Sequence, residues 1–206
     1  MDSVVDLTLT GSLKRGRMLE YFTLAWNMIE AVIAIASGSL AGSVSLVGFG
    51  VDSVIECLSG GVLLWRLREG DQGEGRERLA LKLVGVSFLL LAAYVAFDAI
   101  KSLVFYEPPE VTYIGIAIAA LSLIVMPLLA RAKRQVASDL NSRAMKADSR
   151  QTDLCAYLSA ILLGGLLLNA VFGWWWADPV AGLIMIPIIA KEGVAALRGE
   201  TCDDCH

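Results

Sequence analysis

The sequence predicts an all-α membrane protein of six transmembrane helices, with its N and C termini in the cytoplasm. Three observations predict this. Hydrophobic residues make up 56% of the 206-residue chain and charged residues only 18%, whereas about a quarter of a soluble domain is charged. Predominantly apolar runs of about twenty residues recur along the chain, the length that crosses a bilayer as a helix and too long for single barrel strands. Lys and Arg gather on one side of the alternating connections.

The elements follow in order. Residues 1–18 form a polar N-terminal segment carrying Lys14, Arg15 and Arg17. It lacks the small-residue cleavage site of a signal peptide, so the first span is expected to be retained. Spans are expected at 19–37, 43–65, 80–105, 111–131, 146–170 and 175–197, within a six-helix domain over 19–197. The connection SGSLAGS is short and uncharged, RLREGDQGEGRER is basic and acidic, YEPPEV is acidic, ARAKRQVASDLNSRAMK is basic, and GWWWADP is aromatic. The tail, 198–206, reads RGETCDDCH. Sixteen of the seventeen Lys and Arg residues fall on the side of the termini, and only Lys101 falls on the other. Cytoplasmic connections carry the excess of Lys and Arg, so both termini face the cytoplasm. Pro127 and Pro187 are expected to kink spans four and six. The clusters Gly38/Ser39, Gly60/Gly61 and Gly164/Gly165 are expected to let helices approach closely.

Composition also excludes functions. No basic patch with interleaved aromatics points to nucleic acid. The four cysteines, at 57, 155, 202 and 205, lie partly within spans and are no disulfide framework. The one histidine is the last residue, so no span holds a His base for a thiol enzyme using Cys155.

The polar residues within the spans carry the functional signal. GFGVDSVIECLSGG, residues 48–61, places Asp52 and Glu56 four residues apart, on one helix face. A charge at mid-bilayer costs roughly 2.5–3.5 kcal/mol on insertion scales, and such residues are functional by default. The two carboxylates can share a proton or bind a cation between them. No Lys or Arg is expected at matching depth, and Lys101 is expected to pair with Asp98. In span one, Thr23, Asn27 and Glu30 form a polar stripe. There Glu30 either handles a cation or proton, or makes a buried hydrogen bond. Span five opens KADSRQTDLCAYLS, in which Asp148, Gln151, Cys155 and Ser159 share one face and Asp153 points away. Thiolate, amide and carboxylate together suit a divalent transition metal, and sulfur favours borderline-soft ions such as zinc. The alternative for Cys155 is a small apolar core residue. Cys57 is rotated off the Glu56 face and is read as packing. In the tail, Cys202, Cys205 and His206 either capture metal or form an uninvolved polar end. The Cys-x-x-Cys-His pattern also fits haem attachment, which a cytoplasmic location excludes.

The stretch SGSLAGSVSLVGFGVDSVIE resembles spans one and two of the cation diffusion facilitators, a family of metal–proton antiporters. It has the small-residue turn and then Asp52-Ser-x-x-Glu56 where the family shows Asp-Ser-x-x-Asp or His-Ser-x-x-Asp. GWWWADPVAGLI looks like the turn into the family's sixth span, with Asp178-Pro179 at its mark, and Asp148 ends a Lys-Ala-Asp where the family often has Ala-Asp. The family's second ligand pair, His-x-x-x-Asp, then falls on Gln151 and Cys155. The resemblance implies a short, transmembrane-only relative, expected to lack the family's cytoplasmic metal-binding domain.

The resemblance implies a secondary transporter rather than an enzyme. It would move a divalent transition metal, Zn²⁺ first among them, out of the cytoplasm in exchange for protons, by alternating access around a midplane site between spans two and five. The metal ligands expected are Asp52, Glu56, Cys155 and Gln151. Glu30, Asn27, Asp148 and Asp153 are further candidates for metal or protons. Zinc is substrate, no cofactor is permanently bound, and a homodimer in the bilayer is implied (in a bacterium, in the inner membrane). The alternative is a membrane metal sensor or partner subunit that binds metal at the same residues without moving it.

Overall fold

The computed structural model describes residues 2–69, 74–140 and 143–198. The chain forms six helices: α1 (Asp2–Ala41), α2 (Val44–Glu69), α3 (Glu74–Phe105), α4 (Tyr113–Asp139), α5 (Arg143–Phe172) and α6 (Ala177–Arg198). Each contains a stretch long and apolar enough to cross a bilayer, and there is no strand among the described residues. The chain is an all-α, multi-pass integral membrane protein. The helices outrun the apolar windows. Helix α1 begins at Asp2, well ahead of residue 19, and α4 continues to Asp139, eight residues beyond the expected end at 131. Backbone hydrogen bonds propagate cheaply once a helix exists, so polar residues at its ends extend it.

Three helix pairs organise the bundle: α1 with α2, α4 with α5, and α3 with α6. Contacts of α1 with α4 and of α2 with α5 join the first two pairs into a four-helix group. The α3–α6 pair rests against α2 and α5. It is close at Gly85 and Gly193, where a Cβ on Gly85 would stand 2.7 Å from the Gly193 carbonyl oxygen. The core contains Leu46, Phe49, Met126, Leu162, Met185 and Ile189, all fully buried or nearly so. The outer surface is apolar too: Leu40 is 86% exposed, Tyr113 78% and Met18 76%. In water such a surface would mark an aggregating patch, whereas in a bilayer acyl chains cover it.

The connections at one end of the bundle are tied together. Gly42, at φ +65°, turns α1 into α2. The hydroxyl of Ser43 donates to Asp178 Oδ1 at 2.7 Å, and that of Ser45 donates to the same oxygen. The Glu110 amide donates to the Ala41 carbonyl at 2.7 Å, and Asn169 Nδ2 to the Pro109 carbonyl at 3.1 Å. Trp174 and Trp176 stack with centroids 5.3 Å apart, and Tyr106 lies 5.1 Å from Trp175, as in the aromatic belt of a membrane interface. Lys101 also lies at this end, but Asp98 is not its closest partner. Tyr106, at φ 56°, turns the chain back over the last turn of α3, and Lys101 Nζ meets Glu107 Oε2 at 2.8 Å.

Candidate cation site

The site lies inside the four-helix group. Four residues of α1, Glu20, Thr23, Asn27 and Glu30, are buried along one face. Helix α2 turns Asp52, Ser53 and Glu56 inward, and α5 turns in Asp148, Thr152, Cys155 and Ser159. The 4, 3, 4 spacing of the α5 residues follows the helical repeat. Glu30, Asp52, Glu56 and Cys155 are all at least 94% buried. Glu30 Oε2 accepts from the Ser53 hydroxyl at 2.8 Å and lies 4.0 Å from Cys155 Sγ. Glu56 Oε1 accepts from the Thr152 hydroxyl at 3.1 Å.

Several polar atoms here have no partner. Both amide atoms of Asn27, Glu30 Oε1, Glu56 Oε2 and Gln151 Nε2 are buried without a hydrogen bond. Such atoms are rare in folded proteins and call for a water or an ion. Among the described residues, no three His, Cys, Asp or Glu side chains converge closely enough to hold a metal ion. Glu30 and Glu56 each turn one carboxylate oxygen toward a hydroxyl, of Ser53 and Thr152 respectively.

The expectation of no cation at this depth is overturned. Lys133, on the extension of α4, is fully buried. Its Nζ donates to Asp148 Oδ2 at 2.5 Å, Glu20 Oε2 at 3.3 Å and Thr152 Oγ1 at 3.3 Å. Through Thr152 it stands one group away from Glu56. Lys133 joins Met126, Leu129, Ala130, Val136 and Ala137 on the buried face of α4, whereas its neighbours Arg131 and Arg134 are exposed.

The expected residues therefore divide. Asp52, Glu56, Cys155, Glu30 and Asn27 are gathered in the group's interior, with Gln151 half-buried at the edge of the α5 face. Asp148 is engaged by Lys133. Asp153 pairs with Arg134 at the surface, on the opposite side of α5. Cys57 is half-buried with its Sγ 3.6 Å from the Leu24 carbonyl, a packing position. Cys202, Cys205 and His206 lie outside the described residues. Sequence reasoning missed Lys133, Glu20, Thr152 and Ser53. The usable signal was periodicity: Lys133 continues the stripe through Met126, Leu129 and Ala130, and Glu20 continues the one through Asn27 and Ala34, both at helical spacing.

Six spanning helices around a buried nest of carboxylates define a multi-pass membrane protein with a polar interior. The chain belongs to the family of the cation efflux transmembrane domain, which matches residues 21–200. It is 28% identical over 187 residues to transmembrane protein 163 of Xenopus laevis, covering 89% of this chain and 66% of that protein. It is 27% identical over 178 residues to an uncharacterised transporter of Methanocaldococcus jannaschii, covering 82% and 62% respectively. Over 120 residues it is 31% identical to a cadmium, cobalt and zinc/H⁺–K⁺ antiporter of Bacillus velezensis, covering 57% and 37%. The chain thus spans two thirds or less of the length of these relatives.

Proposed function

We propose that the protein transports a divalent transition-metal cation, with Zn²⁺ the favoured ion, out of the cytoplasm in exchange for protons. The observation that carries this reading is the burial of Glu30, Asp52 and Glu56 beside the Cys155 thiol inside one four-helix group. Such a concentration of carboxylates within a membrane is costly unless a cation or protons neutralise it. Family membership and the metal ions named in the Bacillus relative support the choice of ion. Asp52 and Glu56 bind the metal from α2, and Cys155 and Gln151 complete its coordination from α5. Glu30 and Asn27 border the site. Proton exchange follows from ligand chemistry, because carboxylates and thiol must lose protons to hold a metal. A homodimer, packed through lipid-facing helices, is the assembly we assign to it.

The test is zinc flux into proteoliposomes under a pH gradient, with zinc binding measured on the same preparation. Wild-type protein is expected to move zinc, and Asp52→Ala to lose both flux and binding while inserting normally. Unchanged flux in that variant removes Asp52 from the site. Zinc binding without flux in the wild type would instead assign the chain the role of a membrane metal sensor or partner subunit.

A further inference from the structure

The Lys133 cluster shares no residue with the expected ligands Asp52, Glu56, Cys155 and Gln151, yet it touches them at one point. An ammonium has three protons, and Lys133 has three acceptors: Glu20 Oε2, Asp148 Oδ2 and Thr152 Oγ1. None of its donors is left over. Thr152 has one hydroxyl proton and two acceptors in reach, Glu56 Oε1 at 3.1 Å and the Asp148 carbonyl at 3.2 Å. The carbonyl bond is the common back-bond of a threonine within a helix. A hydroxyl that accepts from an ammonium becomes a better donor, because hydrogen bonds in a chain polarise one another. Its proton gains most at a charged acceptor, and bonds to charged groups are about twice as strong as neutral ones.

We propose that Lys133 is a positioning residue for the cation site, acting through Thr152 to fix which oxygen of Glu56 faces the ion. The Thr152 proton holds Glu56 Oε1. The other oxygen, Oε2, is buried without a partner, and it is the one presented to the cation. Asp148 and Glu20 have a supporting part: they hold the ammonium against the hydroxyl. The sequence Glu20, Asp148, Lys133, Thr152, Glu56 thus runs from α1, α5 and α4 to the α2 ligand. This inference rests on the site assignment above.

The test is a double-mutant cycle on zinc affinity, measured by calorimetry with the full chain in lipid nanodiscs. Thr152→Val keeps the side-chain shape and removes the hydroxyl. It is expected to weaken zinc binding roughly tenfold or more, as for the loss of a hydrogen bond to a charged group. Thr152→Ser is expected to stay within about threefold, since its hydroxyl keeps the same donor role. Lys133→Met is expected to weaken binding in the wild-type background and to add nothing to Thr152→Val. A merely structural lysine would give independent losses that multiply. Should Lys133→Met fail to fold, Lys133→Met/Glu20→Gln keeps the net charge of the cluster and serves in its place. Wild-type affinity in Thr152→Val, or losses that multiply, overturns the inference while leaving the site standing if Asp52→Ala still loses zinc. Unchanged zinc binding in Asp52→Ala overturns both.

Discussion

At Lys133 a single ammonium meets two buried carboxylates and a hydroxyl. Removing one partner of a buried ion pair leaves an uncompensated charge and costs about 3–5 kcal/mol. Lys133→Ala is therefore expected to lower the thermal unfolding temperature of the purified protein sharply. Lys133→Ala/Glu20→Gln, which leaves only Asp148 to be compensated, is expected to recover part of that loss. Wild-type melting of Lys133→Ala would show that the cluster contributes little to stability. The residue also shows what was hidden in the sequence. Read in ARAKRQV, Lys133 is one more positive charge beside the membrane, like Arg131 and Arg134. Its burial depends on its angle around α4 and on two acids, Glu20 and Asp148, that are 113 and 15 residues away. Asp52 and Glu56 were legible because nothing around them is polar enough to disguise them.

At the scale of the helix, close approach is decided by which glycines face another backbone. Gly85 faces Gly193, and a Cβ placed there would stand 2.8 Å from Leu197 Cγ and 2.9 Å from its amide nitrogen. Gly61, inside α2, has nothing within 4 Å of such a Cβ. Gly85→Val is thus expected to force α3 from α6 and to cost about 1–3 kcal/mol by overpacking. Gly61→Ala is expected to be neutral or slightly stabilising, since alanine is the better helix former. Thermal unfolding of the two variants side by side checks both. Small-residue runs were visible in the sequence, and Gly165 does meet Ala181 and Ala177 of α6. The Gly85–Gly193 crossing was not visible, because neither glycine belongs to a run and a run does not state which helix it faces. The existence of six helices was legible, since bilayer thickness sets their length. Their overrun was not, because hydropathy stops at the membrane surface and backbone hydrogen bonding does not.

For the whole molecule, the six spanning helices place the two ends of the described chain on one side of the bilayer. Exposed Lys14, Arg15, Arg17, Arg131 and Arg134 gather at that end, and we propose on this distribution of charge that it faces the cytoplasm. In a background whose native cysteines are replaced by serine, Glu110→Cys is expected to react with a membrane-impermeant maleimide in intact cells. Ser138→Cys is expected to react only after permeabilisation. The reverse pattern would invert the proposed orientation and with it the proposed direction of transport.

The ties around Asp178 have a consequence for the proposed transport cycle. Opening the bundle at that end has to part serine hydroxyls from a carboxylate, together with a few backbone and amide bonds. Opening it at the other end has to pull an ammonium from between two acids. Under the alternating access proposed above, one door would be held by serine hydroxyls on a carboxylate and the other by an ammonium between two acids, so separate sets of residues would govern the two half-cycles. On the proposed direction of transport, substitutions at Ser43 or Ser45 are expected to alter release and those at Glu20 or Lys133 uptake, as read in zinc flux into proteoliposomes.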